Sequence, residues 1–105
     1  MQRISVDISG AGDHEIVSSS SGQIIQVHKM LLTFSHASDA ALAVEFLSGA
    51  RVVAGPFYVM NGGEISYLEI AGQTMDIREG ESFYIRLPAN LACGGIFDYD
   101  IAVVA

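Results

Sequence analysis

A chain of 105 residues, half of them hydrophobic and only 16% charged, has the apolar content for one domain-sized core and too little charge for the disordered class. Twelve Asp and Glu against five Lys and Arg give a net charge of −7, the wrong sign for neutralising nucleic-acid phosphates or binding an anionic membrane surface, and no apolar run nears the roughly 20 residues that span a bilayer. Cys93 is the only cysteine, so an intrachain disulfide and a cysteine-based zinc site are excluded. The first residues carry no secretory pattern, and synthesis in a cytosol is expected.

Hydrophobicity alternates with period two along nearly the whole chain, which predicts strands. Ile4, Val6 and Ile8 form the first, closed by the Gly10-Ala11-Gly12-Asp13 turn, and residues 1–9 read either as a strand of the domain or as an N-terminal arm. A short strand is expected over Glu15 to Ser19, then a serine-rich loop ending at Gly22. Gln23 to Ser35 is the longest run. Ile25 and Val27 share one parity and Met30, Leu32 and Phe34 the other, which predicts a bulge near His28-Lys29 and a corner where the strand passes between sheets.

The Ala-rich segment Ser38 to Leu47 offers the best helical pattern, but Ala40, Leu42, Val44 and Phe46 alternate, and the segment is read as a strand. Gly55-Pro56 interrupts Arg51 to Val59. Proline cannot donate to a ladder, so this segment belongs at an edge or corner. Asn61-Gly62-Gly63 is a strong turn. Strands over Glu64 to Ile70 and Thr74 to Ile77 follow, joined by Ala71-Gly72-Gln73; Phe83 to Leu87 and a last strand opened by Gly94-Gly95 complete the series. The expected fold is one all-β domain over residues 1–105, a jelly-roll-like antiparallel β-sandwich of eight or nine strands with little or no helix.

Candidate chemistry is sparse. His14, His28 and His36 invite a metal reading, but no His-x-His or His-x-x-x-His pair occurs. Asp98 and Asp100 share a strand face about 7 Å apart. A cation bridging them is one reading and a solvated face the other; the second is preferred. Cys93 has no adjacent basic residue to activate it. No nucleophile elbow, P-loop or dinucleotide fingerprint is present. Tyr58, Tyr67 and Tyr84 are candidates for an exposed aromatic platform. Accordingly no catalytic residue, cofactor or metal ligand is assigned, and the chain is not expected to be an enzyme.

From Gly22 to Tyr99 the element order resembles a group of small tailed-phage virion proteins. It runs from an apolar strand after Gly22-Gln23 through Leu47-Ser48-Gly49-Ala50, Ala54-Gly55-Pro56, Asn61-Gly62-Gly63 and Glu79-Gly80-Glu81 to Gly94-Gly95-Ile96 entering the last strand. The resemblance is to capsid cement or decoration proteins and to head or tail fibre domains. It implies a β-sandwich on the virion surface that binds the major capsid protein and itself, as a homotrimer or dimer. Arg51 and the Asp98-Tyr99-Asp100 run depart from the small or neutral residues of that pattern; where they lie at a contact surface, the partner has to answer their charges. Met1 to Ile8 would then serve as an arm adding a strand to a neighbour. The alternatives are a fibre or receptor-binding domain, a carbohydrate-binding module, and a cupin-like binder with histidine ligands.

Overall fold

A computed structural model describes residues 1–68 and 74–104. These residues contain nine strands and no helix: β1 (Gln2–Ser9), β2 (Gly12–Val17), β3 (Gln23–Ser35), β4 (Leu42–Ser48), β5 (Arg51–Val59), β6 (Glu64–Leu68), β7 (Met75–Asp76), β8 (Phe83–Leu87) and β9 (Ala92–Val103). One sheet has the order β1-β9-β3-β6, with the short β7 also on β3, and the other the order β2-β8-β4-β5. Every pairing is antiparallel.

This order is a folded ribbon. The pairs β1/β9, β2/β8, β3/β6 and β4/β5 lie along it, and the β9–β3 and β8–β4 pairings close it into two sheets. That is the jelly-roll arrangement the alternation pointed to. Its consequence among the described residues is four sheet edges, formed by β1 and by β6 with β7 in one sheet and by β2 and β5 in the other.

Between the sheets, rings run in a file: Phe57 and Phe46 at 5.7 Å, Phe46 and Phe83 at 6.0 Å, Phe83 and Phe97 at 4.8 Å, Phe97 and Tyr99 at 5.7 Å. Each such pair adds about 0.5–1.5 kcal/mol beyond its buried area. The file crosses from the edge strand β5 to the central strand β9, tying both sheets into one core.

The bulge expected at His28 is present: Val27 faces Tyr99 and Lys29 faces Asp98, with one extra residue between them. It re-phases the strand so that Ile25 and Val27, then Met30, Leu32 and Phe34, all point inward and are buried. The expected corner is overturned. β3 stays paired with β9 from Gln23 to Ser35 because β9 offers an unbroken partner, and the bulge corrects side-chain parity without moving the strand between sheets. Likewise β5 continues through Gly55-Pro56 on β4, with register shifts around Phe46 and a cis bond before Pro56.

Several boundaries also shift: the strand read over Ser38 to Leu47 runs Leu42–Ser48, and the one read over Thr74 to Ile77 is only Met75–Asp76. The second strand begins at Gly12, opposite Leu87, and ends at Val17, because Gly10 donates its N–H to the Leu91 carbonyl and turns the chain within two residues. Gly94-Gly95 lies inside β9, which starts at Ala92. A Cβ on Gly95 would stand 2.0 Å from the Leu31 carbonyl oxygen, so the glycine permits a close approach of two strands and does not mark a turn. Glu69, Ile70 and the expected Ala71-Gly72-Gln73 turn lie outside the described residues. Residues Gln2–Ser9 pair in full register with β9 of the same chain, from Gln2 opposite Tyr99 to Ser9 opposite Ala92.

Candidate functional site

The residues that suggested polar chemistry are dispersed. His14 donates Nε2–H to the Gly10 carbonyl at 2.9 Å, and His28 Nε2 donates to Asp100 Oδ2 at 2.8 Å. His36 is buried; its Nδ1 accepts the Ser38 N–H at 3.2 Å and its Nε2 faces the Val59 carbonyl at 3.1 Å. Those partners fix it as the neutral Nε2–H tautomer. The three rings are thus engaged separately, and among the described residues no group of three or more His, Cys, Asp or Glu is placed to hold a metal ion.

Asp98 and Asp100 do share an outer face, but Asp98 is not solvated as expected. Its side chain is only 8% exposed and accepts Arg3 Nε at 2.7 Å and Nη2 at 2.9 Å. These two hydrogen bonds hold the Asp98 carboxyl below the usual carboxylate range despite its partial desolvation, with the Arg3, Lys29 and His28 charges adding to the effect. The Asp98 charge is thus answered within the chain by Arg3. On the other sheet, Arg86 bridges Asp13 at 2.7 Å and Glu45 at 3.3 Å, and its hydrogen bonds lower the Asp13 carboxyl in the same way. Burial pushes the Cys93 thiol up to about 11, which makes it a core residue and not a nucleophile at neutral pH.

The three tyrosines do not make a platform either. Tyr67 packs inward against the core, Tyr84 donates to Glu15 at 3.2 Å on the outer face of β8, and Tyr58 stands 70% exposed on β5. Tyr58 points instead to a different feature, the β5 edge.

Natural sheets protect their edges with charge, prolines or bulges. β1 carries Arg3 and Asp7, β2 carries Asp13 and Glu15, and β6 begins at Glu64. β5 has Arg51 at its first position and then no charged residue through Val59, and the uncharged stretch continues to Gly63. From it Val52, Phe57, Tyr58 and the adjoining Met60 are 38%, 41%, 70% and 52% exposed. Pro56 and the irregular register limit open-ended strand addition, but nothing on this edge repels a neutral partner.

The edge is also held in place. His36 Nε2–H bonds the Val59 carbonyl, and the His36 N–H donates to Asn61 Oδ1 at 3.1 Å. The Asn61-Gly62-Gly63 turn exchanges hydrogen bonds with Phe34, Gly62 N–H to the Phe34 carbonyl at 2.8 Å and Phe34 N–H to the Gly63 carbonyl at 3.0 Å. So the end of β3 fixes where Tyr58 and Met60 are presented. Sequence reasoning missed Val52, Phe57 and Met60, although the uncharged run from Val52 to Gly63 was the legible signal.

Where β5 and β6 face each other across the open side of the sandwich, a cavity of about 210 Å³ is lined by Phe46, Ala54, Phe57, Ile65, Tyr67 and Met75 among others, none of them charged. Phe57 is thus both the outer end of the aromatic file and a wall of this opening. Compared with known proteins, the chain matches no family model, no curated protein and no solved structure.

Proposed function

We propose that the chain is a structural virion protein of the capsid decoration kind, acting by surface contact and not by catalysis. It would bind across neighbouring major capsid protein subunits and stabilise the assembled head, because a ligand that binds only the assembled state stabilises it by mass action. Assembly as a homotrimer or dimer would multiply the effect by making later contacts intramolecular.

The observation that carries this reading is the β5 edge, which together with the turn after it runs uncharged from Val52 through Gly63 and exposes Val52, Phe57, Tyr58 and Met60, on a chain of net charge −7. An uncharged apolar strip beside acidic surface is the pattern of a protein contact. The jelly-roll order is also one that capsid domains use, although fold alone assigns no function. The motif order from Gly22 to Tyr99 adds the virion context.

The test is co-sedimentation with expanded, emptied heads of the virus whose genome encodes the chain. The wild-type protein should pellet with them at a saturating ratio, and Tyr58→Lys, which sets an ammonium on the uncharged edge, should remain in the supernatant while folding normally. Wild type that does not pellet, or Tyr58→Lys that pellets equally, would overturn the proposal.

A further inference from the structure

We infer that the cavity between β5 and β6 is an anchor pocket that takes one bulky uncharged side chain, aromatic or thioether, from an extended segment of a protein partner laid along β5. The inference rests on the reading that this chain works by binding a protein surface, and it specifies how.

Size fixes the first part. A dry apolar cavity of about 150 Å³ admits benzene, so about 210 Å³ accommodates one ring or one methionine side chain and little more. The lining fixes the chemistry. Phe46, Phe57 and Tyr67 offer ring faces and edges, Met75 and Met30 offer thioethers, and among the described residues no charged side chain lines the cavity to meet a carboxylate or ammonium. An ion there would be desolvated without a partner, which is costly.

The surroundings fix the class of occupant. Small-molecule pockets usually span about 300–1,000 Å³, so this opening is undersized for a free ligand, and such a ligand would leave Val52, Tyr58 and Met60 uncovered beside it. An extended segment covers both. It adds its backbone to the sheet edge and sends every second side chain toward the pocket.

The β5 sequence prepares that arrangement. Pro56 has no N–H to offer, so strand addition is confined to the stretches on either side of the Gly55-Pro56 break. The two residues flanking the break, Ala54 and Phe57, both line the cavity. The pocket therefore opens where the edge is interrupted, and Ala54 is the small residue that leaves it open.

The test uses the purified full chain and blocked hexapeptides Thr-Val-Thr-X-Thr-Val, titrated while backbone amide shifts are followed by NMR. With Phe or Met at X, saturable shifts should centre on Ala54, Phe57, Tyr67 and Met75, with affinity roughly tenfold or more above the Ala peptide; the Glu peptide should not saturate. Ala54→Phe, filling the pocket from β5, and Met75→Phe, filling it from the opposite wall, should each remove the preference for Phe over Ala while keeping a dispersed folded spectrum. Equal affinity for the Phe and Ala peptides, no binding of any peptide, or saturation by free indole without binding of the Phe peptide would overturn the inference. The head assay separates the two proposals. Negative peptide results with intact head binding defeat the pocket alone, whereas peptide selectivity without head binding defeats the virion role alone.

Discussion

Replacing Gly95 by alanine tests the closest approach in the fold. The added Cβ would lie 2.0 Å from the Leu31 carbonyl oxygen and 3.0 Å from the Leu31 carbonyl carbon and Leu32 Cα. Carbon to oxygen contacts settle near 3.3 Å, so β3 and β9 must separate by roughly 1.3 Å at this point. That is more than a ladder hydrogen bond tolerates. Two bonds at about 1 kcal/mol each are weakened or lost. Displacing the fully buried Leu32 and Phe97 in a filled core adds about 1–3 kcal/mol. The φ of +151° at Gly95 also lies where side chains are rare.

The expected cost is therefore about 3–5 kcal/mol, a large share of a small domain's stability, and a fall in melting temperature of roughly 12–30 °C. Gly94 is the internal control. Its added Cβ would meet only the Val6 carbonyl oxygen, at an ordinary 3.6 Å, and Gly94→Ala should stay within about 0.5 kcal/mol of the wild type. Urea unfolding of both variants followed by tyrosine fluorescence and circular dichroism measures the difference. Gly95→Ala within about 1 kcal/mol of the wild type, or equal losses for both glycines, would refute the close-approach argument.

Two further outcomes follow from buried polar groups. Ser48 is fully buried, donates to Glu81 Oε1 at 2.5 Å and accepts the Arg78 N–H at 3.0 Å; Ser48→Ala should cost about 1–3 kcal/mol in denaturant unfolding by orphaning both partners, and a neutral result would show that water replaces the hydroxyl. Because Arg3 lowers the folded-state Asp98 carboxyl, that ion pair stabilises the protein above the ordinary carboxylate range and ceases to do so as pH falls through the lowered value. Wild type should accordingly exceed Asp98→Asn in stability at pH 7, with the gap closing in acid; a gap that persists undiminished at pH 2 would contradict the assignment.

The β5 edge is protected differently from β1 and β2. Those two strands carry charges along their length that discourage pairing, while β5, charged only at Arg51, relies on Pro56 and an irregular register. Those devices limit how far a strand can add without making the strip repulsive. A surface so arranged is suited to a short neutral segment and poorly suited to indefinite stacking of copies.

Much of the architecture was legible because it is local. Alternation gave the all-β class and most strand positions, since a strand's inward face is written every second residue. The parity change between Val27 and Met30 gave the bulge at His28, and Asn61-Gly62-Gly63 gave its turn. Alternation says which face is apolar, however, and not what lies opposite it. The partner of Asp98 is Arg3, 95 residues away, so a side chain read as solvated is enclosed. Gly94 and Gly95 look alike in sequence, and only the approach of Leu31 separates them. The uncharged run from Val52 to Gly63 is visible in the chain, but whether it would be covered or left as an edge depended on the sheet order, which long-range pairing decides. The sequence by itself determined strands, turns and parity; the tertiary structure decided edges, the cavity and the ion pairs, because each of these is a contact between segments distant along the chain.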